Sequence, residues 1–167
     1  MTTARATETV IITPPDFRTI ELRIVGTAPY AQARFAAKAK LMTKMEAGST
    51  ATKGRKKDAR DFDRDFLAAQ HITPDGWRGI PAAAFRNACI DACRAVGFQM
   101  TRAKMSIFCE PDGFDREDLT PLVRITSGEP RRLDLPVRNA TGVVDVRSRP
   151  VCAEWSALVR LTFDAGQ

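Results

Sequence analysis

Residues 77–96, WRGIPAAAFRNACIDACRAV, constrain the fold most, because an apolar helical pattern directly follows a Gly-Ile-Pro loop. Pro81 suits the first turn of a helix, since proline lacks an N–H there and its φ is already helical. Three- and four-residue spacing predicts one apolar face, made by Phe85, Ala88, Cys89, Ala92 and Val96. Gly97 is expected to end the helix. The sequence therefore predicts a core helix with Arg86 in its first turn.

Two stretches alternate with period two, which is typical of half-buried strands. Residues 17–26, FRTIELRIVG, place Ile20, Leu22 and Ile24 on one face. Residues 154–164 give the clearest strand pattern of the chain. Residues 105–110, 122–125 and 143–149 predict shorter extended segments, and residues 127–142 are interpreted as a basic loop. A Thr-Pro-Asp-Gly turn predicts a hairpin over 71–80.

Between the first strand and this hairpin the composition changes. We predict a flexible tail at 1–16 and a single α+β domain at 17–167, with an inserted arm at 31–70. Within the arm, 31–47 and 61–69 favour helix, and 48–60 is basic without apolar periodicity. The basic part is either a solvated disordered insertion, an arm along a phosphate backbone, or an arm that reaches a neighbouring subunit.

The length of 167 residues and an apolar content of 44% fit one globular domain. Neither a run of eighteen apolar residues nor a signal-type N-terminus is present, so we expect a cytoplasmic protein without membrane contact. The four cysteines form no CxxC pair and His71 is the only histidine, so we expect buried thiols and no metal or cofactor.

Catalytic signatures are also lacking in the sequence. There is no glycine-rich phosphate loop and no nucleophile elbow, and we predict that the chain is not an enzyme. His71 is interpreted as a surface or hairpin residue. The acidic run of Asp58, Asp61, Asp63 and Asp65 lacks the spacing of a calcium loop and is interpreted as a solvated helix face that balances Arg60 and Arg64.

The net charge of +6 favours polyanionic partners. Arg86 lies at a helix start, where backbone donors favour an anion. The other cations form three groups that we take as candidate nucleic-acid contacts: Lys53, Arg55, Lys56, Lys57 and Arg60; Arg131, Arg132 and Arg138; Arg147 and Arg149. Ion pairing of Arg147 and Arg149 with Asp145 and Glu154 is the alternative. Most aromatic residues fall on predicted core faces, which favours backbone contact over base reading.

The sequence resembles a widespread group of phage-encoded proteins over about residues 18–166. The group shares a strand ending in Gly-Thr-x-Pro, a lysine-rich insertion, a Gly-x-Pro-Ala loop and a late Asp-x-Arg-x-Arg-Pro, Glu-Trp and Asp-Ala-Gly pattern. The matching residues here are Gly26, Thr27, Pro29, Gly79–Ala82, Asp145, Arg147, Arg149, Pro150, Glu154, Trp155 and Asp164–Gly166. Members of the group continue into a further helix and a glycine-rich strand, whereas this chain ends just after the Asp-Ala-Gly strand. Either its sheet closes differently, or the last helix and strand are missing from this polypeptide or supplied by another. The resemblance also implies the cytoplasm of a bacterial host.

More distantly, the strand end at Gly26–Pro29 and the loop-helix GIPAAAFRNA are similar to the RAMP superfamily, the RRM-like backbone subunits of CRISPR effector complexes. The resemblance implies an RRM/ferredoxin-like antiparallel sheet with helices on one face. It further implies sequence-independent binding of single-stranded nucleic acid, RNA rather than DNA, with assembly into a homo-oligomer or filament. Arg86 takes the basic position of the helix, and residues 53–60 take the place of a finger. The alternative function is a phage protein-interaction or assembly factor, a virion or host-takeover component without a nucleic-acid role.

Overall fold

The computed structural model describes residues 14–34, 61–138, 142 and 144–166. These residues form three helices and two antiparallel sheets, which confirms the α+β class. The helices are α1 (Phe62–Ala68), α2 (Ala82–Ala92) and α3 (Met100–Ser106). The strands are β1 (Phe17–Val25), β2 (Tyr30–Ala31), β3 (Gly79–Pro81), β4 (Ile107–Glu110), β5 (Gly113–Phe114), β6 (Pro121–Ser127), β7 (Arg131–Arg138), β8 (Val144–Cys152) and β9 (Ser156–Asp164).

The main sheet is built around β9, the strand with the clearest alternation in the sequence. Its order is β1-β9-β6-β3, with β4 also paired to β9 and β5 to β6. β1 pairs with β9 along its whole length, from Phe17 opposite Asp164 to Val25 opposite Ser156. Ala157, Val159 and Leu161 of β9 are buried, as the period-two pattern predicts.

The helix α2 covers the centre of this sheet, but with a different face from the predicted one. Ala82 and Ile90 are buried and Phe85 and Cys89 are half-buried, whereas the predicted core residues Ala88, Ala92 and Val96 are exposed. Alanine is compatible with either environment, so the five alanines at 82–84, 88 and 92 left the phase of the apolar face undetermined. The helix also ends at Ala92, and turns continue to Gly97 with φ +69°.

The second sheet has the order β2-β8-β7, and its β7–β8 pair forms an antiparallel ribbon. The interpretation of residues 127–142 as a loop is wrong for 131–138, which are strand β7. Leu133, Leu135 and Val137 do alternate, but the arginines and Pro136 masked the pattern. Proline is tolerated there because β7 is an edge strand.

The remaining boundaries follow the sequence with local differences. The strands at 17–26 and 122–125, the helix at 61–69 and the 71–80 hairpin are confirmed, the hairpin by the bridge between Ile72 and Arg78. Helix α3 was not predicted, and it delays the start of β4 to Ile107. The helix predicted from residue 31 is wrong at its start, since Ala31 lies in β2 and 32–34 have no regular structure. Residues 1–13 and 35–60, which hold most of the predicted tail and arm, lie outside the described residues.

Trp155 joins the main sheet to the ribbon. Its Nε1 donates to the Ala28 carbonyl at 3.0 Å, and the Gly26 N–H donates to the Trp155 carbonyl at 2.8 Å. A Cβ on Gly26 would lie 2.1 Å from Trp155 Nε1, so only glycine fits against the indole. The segments Gly26–Pro29 and Glu154-Trp155 therefore meet at this corner.

Candidate functional site

The register of the β7–β8 ribbon sorts its side chains onto two faces. Opposed residues of an antiparallel pair share a face, so Arg131, Leu133 and Leu135 lie with Val151, Arg149 and Arg147 on one side. Helix α1 packs against the other side: Arg132 is ion-paired with Asp63 of α1, and Ser148 and Pro150 are buried. We call the side opposite α1, with Arg131, Leu133, Leu135, Arg147 and Arg149, the open ribbon face.

The open ribbon face combines cations with accessible apolar surface. Leu133 is 43% exposed and Leu135 39% exposed. Arg131 is exposed and Arg149 half-buried, and neither has an acidic partner among the described residues. Arg149 lies opposite Leu133 and Arg147 opposite Leu135, so leucines and arginines alternate across the two strands. Within the described part of the chain, no ion pair of Arg131 or Arg149 has to break before this face binds an anion.

The other predicted ribbon arginines lie on the side that faces α1. Arg132 contacts Asp63 and, at 3.3 Å, Asp134, so its charge is balanced within the chain. Arg138 is exposed at the far end of β7, opposite Val144. The predicted contacts Lys53, Arg55, Lys56, Lys57 and Arg60 lie outside the described residues.

Arg86 is placed away from the ribbon, at the contact between α2 and the end of α3. Its Nε donates to the Ile107 carbonyl at 2.8 Å, and its Nη2 donates to the Lys104 carbonyl. These carbonyls belong to the last turn of α3 and its C-cap, which need donors from outside the helix. The arginine thus has a structural role that requires no phosphate.

A buried ionic cluster was missed by the sequence interpretation. The Arg34 side chain is 3% exposed and its Nη2 lies 2.9 Å from Asp115 Oδ1 and 3.2 Å from Asp118 Oδ2. Its Nη1 lies 3.2 Å from Glu117 Oε2. Neither Nη2 contact has hydrogen-bond geometry, so charge rather than directional bonding holds that end of the guanidinium. Each partner is about eighty residues away in sequence, which no local pattern reveals.

His71 also belongs to this cluster, so of its interpretation as a surface or hairpin residue the hairpin part is right and the surface part is wrong. It starts the predicted hairpin, but it is only 9% exposed and its Nδ1 lies 2.9 Å from Asp115 Oδ2. The backbone N–H of His71 donates to Gln32 Oε1 at 3.1 Å. Because Gln32 Nε2 donates to the Gly79 carbonyl at 2.8 Å, the cluster ties the segment after β2 to the Gly-Ile-Pro strand.

His71, Asp115 and Asp118 place possible metal ligands within 4.8 Å of one another. The Arg34 guanidinium already contacts both carboxylates, so a metal cation would have to compete with a buried positive charge. Burial opposes ionisation of Asp118, but hydrogen bonds from Thr120 and the Arg34 charge outweigh it and lower the pKa of that carboxyl. The arrangement therefore favours a structural ion cluster over a metal centre.

Two acidic residues at the start of α1 make defined contacts within the chain. Asp61 caps the helix by accepting from the Arg64 N–H at 3.0 Å, and Asp63 pairs with Arg132. Asp58 lies outside the described part of the chain. The pairing of Asp63 with Arg132 of the ribbon was not predicted, although the Asp63 side chain is 83% exposed, as a solvated face requires.

The cysteines are free thiols. Cys93 and Cys152 are buried and Cys89 and Cys109 are half-buried. Burial, with smaller contributions from neighbouring thiol and carboxyl groups, raises the pKa of Cys109 to about 11. This thiol is therefore protonated at neutral pH and a poor nucleophile.

Comparison with known proteins identifies no family for this chain. Neither a scan against protein-family models nor searches of curated proteins and of solved structures found a match. In the part of the chain that the structure describes, no helix is long and apolar enough to cross a membrane.

Proposed function

We propose that the chain binds single-stranded nucleic acid, without sequence preference, through phosphates held on the open ribbon face. The observation that carries the proposal is the placement of Arg131 and Arg149 on one accessible face without acidic partners in the described chain. Arginine suits this role, because its planar guanidinium donates two parallel hydrogen bonds to a phosphate.

The ribbon geometry supports contact with a backbone rather than with bases. Residues two apart on a strand are separated by roughly 6.6 Å, so Arg147 and Arg149 can face successive phosphates of an extended strand. The apolar members of the face, Leu133 and Leu135, are aliphatic and offer no stacking platform. Binding is then dominated by release of counterions from the nucleic acid.

Several finer features come from the RAMP resemblance and form part of the same proposal. They are an RRM/ferredoxin-like arrangement of the main sheet, RNA as the preferred strand, self-association along it, and a finger at 53–60. The protein is then a non-catalytic binder that works in the cytoplasm of a phage-infected bacterium.

Fluorescence anisotropy with labelled single-stranded RNA and DNA of mixed sequence, titrated at several salt concentrations, tests the proposal. Each phosphate contact to a single strand contributes about 0.7 to the slope of log K against log salt. The double variant Arg131→Ala/Arg149→Ala should flatten the slope by about 1.4 for every sequence. The double variant Arg102→Ala/Arg116→Ala removes the same charge from exposed positions outside the ribbon and should leave the slope unchanged. Absence of salt-dependent binding at low salt would contradict the proposal.

The exposed leucines favour a second candidate, a protein-interaction or assembly factor whose partner is acidic and partly apolar. Leu133 and Leu135 together present apolar surface that phosphates do not need. Leu133→Ser/Leu135→Ser keeps both neighbouring arginines and should preserve nucleic-acid affinity under the first proposal. Retention of partner proteins by the wild type but not by this variant, without any nucleic-acid binding, would favour the second candidate.

A further inference from the structure

Strand β1 ends the main sheet and leaves one side of its backbone without a partner among the described strands. The hydrogen bonds from Gly26 N to the Trp155 carbonyl and from Ala165 N to the Asp16 carbonyl fix the alternation along β1. Even-numbered residues exchange hydrogen bonds with β9, so odd-numbered residues direct their N–H and C=O groups to the free edge. Those residues are Phe17, Thr19, Glu21, Arg23 and Val25.

This edge lacks most of the usual protections against strand pairing, although it carries the charged residues Arg18, Glu21 and Arg23. It is nine residues long, its pairing with β9 is regular throughout, and it contains neither proline nor lysine. Ile20 and Leu22 are each 41% exposed, although they lie opposite the buried Leu161 and Val159 on the helix-covered face. A strand added to β1 would satisfy the free backbone groups and cover these two side chains.

The charges along β1 are complementary to β1 itself in one antiparallel register. A two-fold axis at Glu21 or at Arg23 would oppose like charges, and an axis at Ile20 would leave Arg23 opposite Phe17. An axis at Leu22 instead opposes Glu21 to Arg23 of the second copy, twice, and Ile20 to Ile24. This register also opposes odd-numbered residues to odd-numbered ones, as the outward-facing hydrogen-bonding groups require.

We propose that two copies of this chain pair through β1 in the register centred on Leu22, and so form one continuous antiparallel sheet. The two-fold axis stands perpendicular to the sheet, so Ile20, Leu22 and Ile24 of both copies form one apolar strip on the helix-covered face. The interface is isologous and closes at two subunits. Because it closes at two subunits, it goes beyond the extended self-association in the proposed function, and it does not depend on nucleic-acid binding.

Sedimentation equilibrium of the intact chain over a range of concentrations tests the pairing. Wild type should show a monomer–dimer equilibrium. Arg23→Glu should weaken it about tenfold, because two attractive cross-strand pairs become repulsive. Arg23 lies opposite Leu158 within its own chain, so this variant disturbs the fold less than Glu21→Arg, which would oppose Arg160. The double swap Glu21→Arg/Arg23→Glu should restore the dimer, and Arg102→Glu on α3 is the matched control that should leave it unchanged.

Amide hydrogen exchange gives a second readout, because the exchange rates of odd- and even-numbered residues of β1 should respond differently to dimerisation. On dimerisation the odd-numbered amides of Thr19, Glu21, Arg23 and Val25 should slow, whereas the even-numbered amides are protected in both states. A wild type that stays monomeric overturns the proposal. Fast exchange of the odd-numbered amides would then indicate an edge exposed to solvent, and slow exchange would indicate an edge covered by another part of the same chain. A double swap that keeps the far-UV circular dichroism spectrum of the wild type but fails to restore the dimer overturns the register. Salt-dependent nucleic-acid binding by the same variants separates a failure here from a failure of the proposed function.

Discussion

Arg34 and Arg149 belong to two regions that use the same side chain in opposite ways. Arg34 is 3% exposed and lies within 3.2 Å of three carboxylates at the base of the hairpin. Arg149 lies on the open ribbon face, where the described residues give it no acid. The count of 26 lysines and arginines therefore overstates the cations that are free to bind an anion, and location within the fold decides which of them serve binding.

The largest expected effect is a loss of fold stability when the buried cluster around Arg34 is changed. Asp115 is fully buried, and Asp115→Ala removes one of the carboxylates that balance the buried positive charge of Arg34. We expect a loss of about 3 kcal/mol in the free energy of unfolding, measured by urea denaturation. Asp91→Ala, on the exposed side of α2, removes the same charge and should change that free energy by less than about 0.5 kcal/mol.

The same Asp115 variant should leave the nucleic-acid salt slope unchanged under conditions in which it is folded. A change in slope without a loss of stability would show that the buried cluster, rather than the ribbon, contacts the strand. It would also remove the contrast between the two regions.

Features of the fold that depend on local sequence patterns could be predicted, and features that depend on contacts between distant segments could not. β1 and β9 were predicted because each alternates over nine residues, and α2 because a loop-helix signal marks its start. The inward face of α2 was not predicted, since the sheet rather than the alanine-rich pattern selects it. β7 was missed because its charged residues and proline resemble a loop until β8 pairs with it.

The candidate site was only partly accessible to the same reasoning. Arg131 and Arg149 were named as cations, but only the register shows that they share a face away from α1. The ionic cluster joins residues 44 and 84 positions apart, which single-sequence periodicity does not connect. The one signal in the sequence is the concentration of acids at 115–118, just after the Pro111-Asp112-Gly113 segment, and this signal does not identify the partner.

A smaller effect is expected at Arg86, which the RAMP resemblance assigns to nucleic acid and the structure bonds to two carbonyls. Arg86→Ala should destabilise the fold by about 2 kcal/mol, because charge-assisted hydrogen bonds to the end of α3 are lost. Arg102→Ala, an exposed arginine of α3, is the control for loss of charge. The salt slope should stay at its wild-type value. A slope flattened by about 0.7 with unchanged stability would assign Arg86 to phosphate contact after all.

The smallest effect concerns Asp118, the most accessible aspartate that contacts Arg34. Burial opposes its ionisation, but Thr120 and Arg34 together lower the pKa of the carboxyl below its ordinary value of 3.8. A carboxyl with a lowered folded-state pKa stabilises the fold above its unfolded-state pKa, and this stabilisation is lost as pH falls through the folded-state value. Asp118→Asn should therefore lose less stability than wild type between pH 5 and about pH 3, measured by urea unfolding at each pH. Equal losses in the two proteins would mean that the Asp118 charge contributes nothing to the buried cluster, and that Asp115 and Glu117 alone balance Arg34.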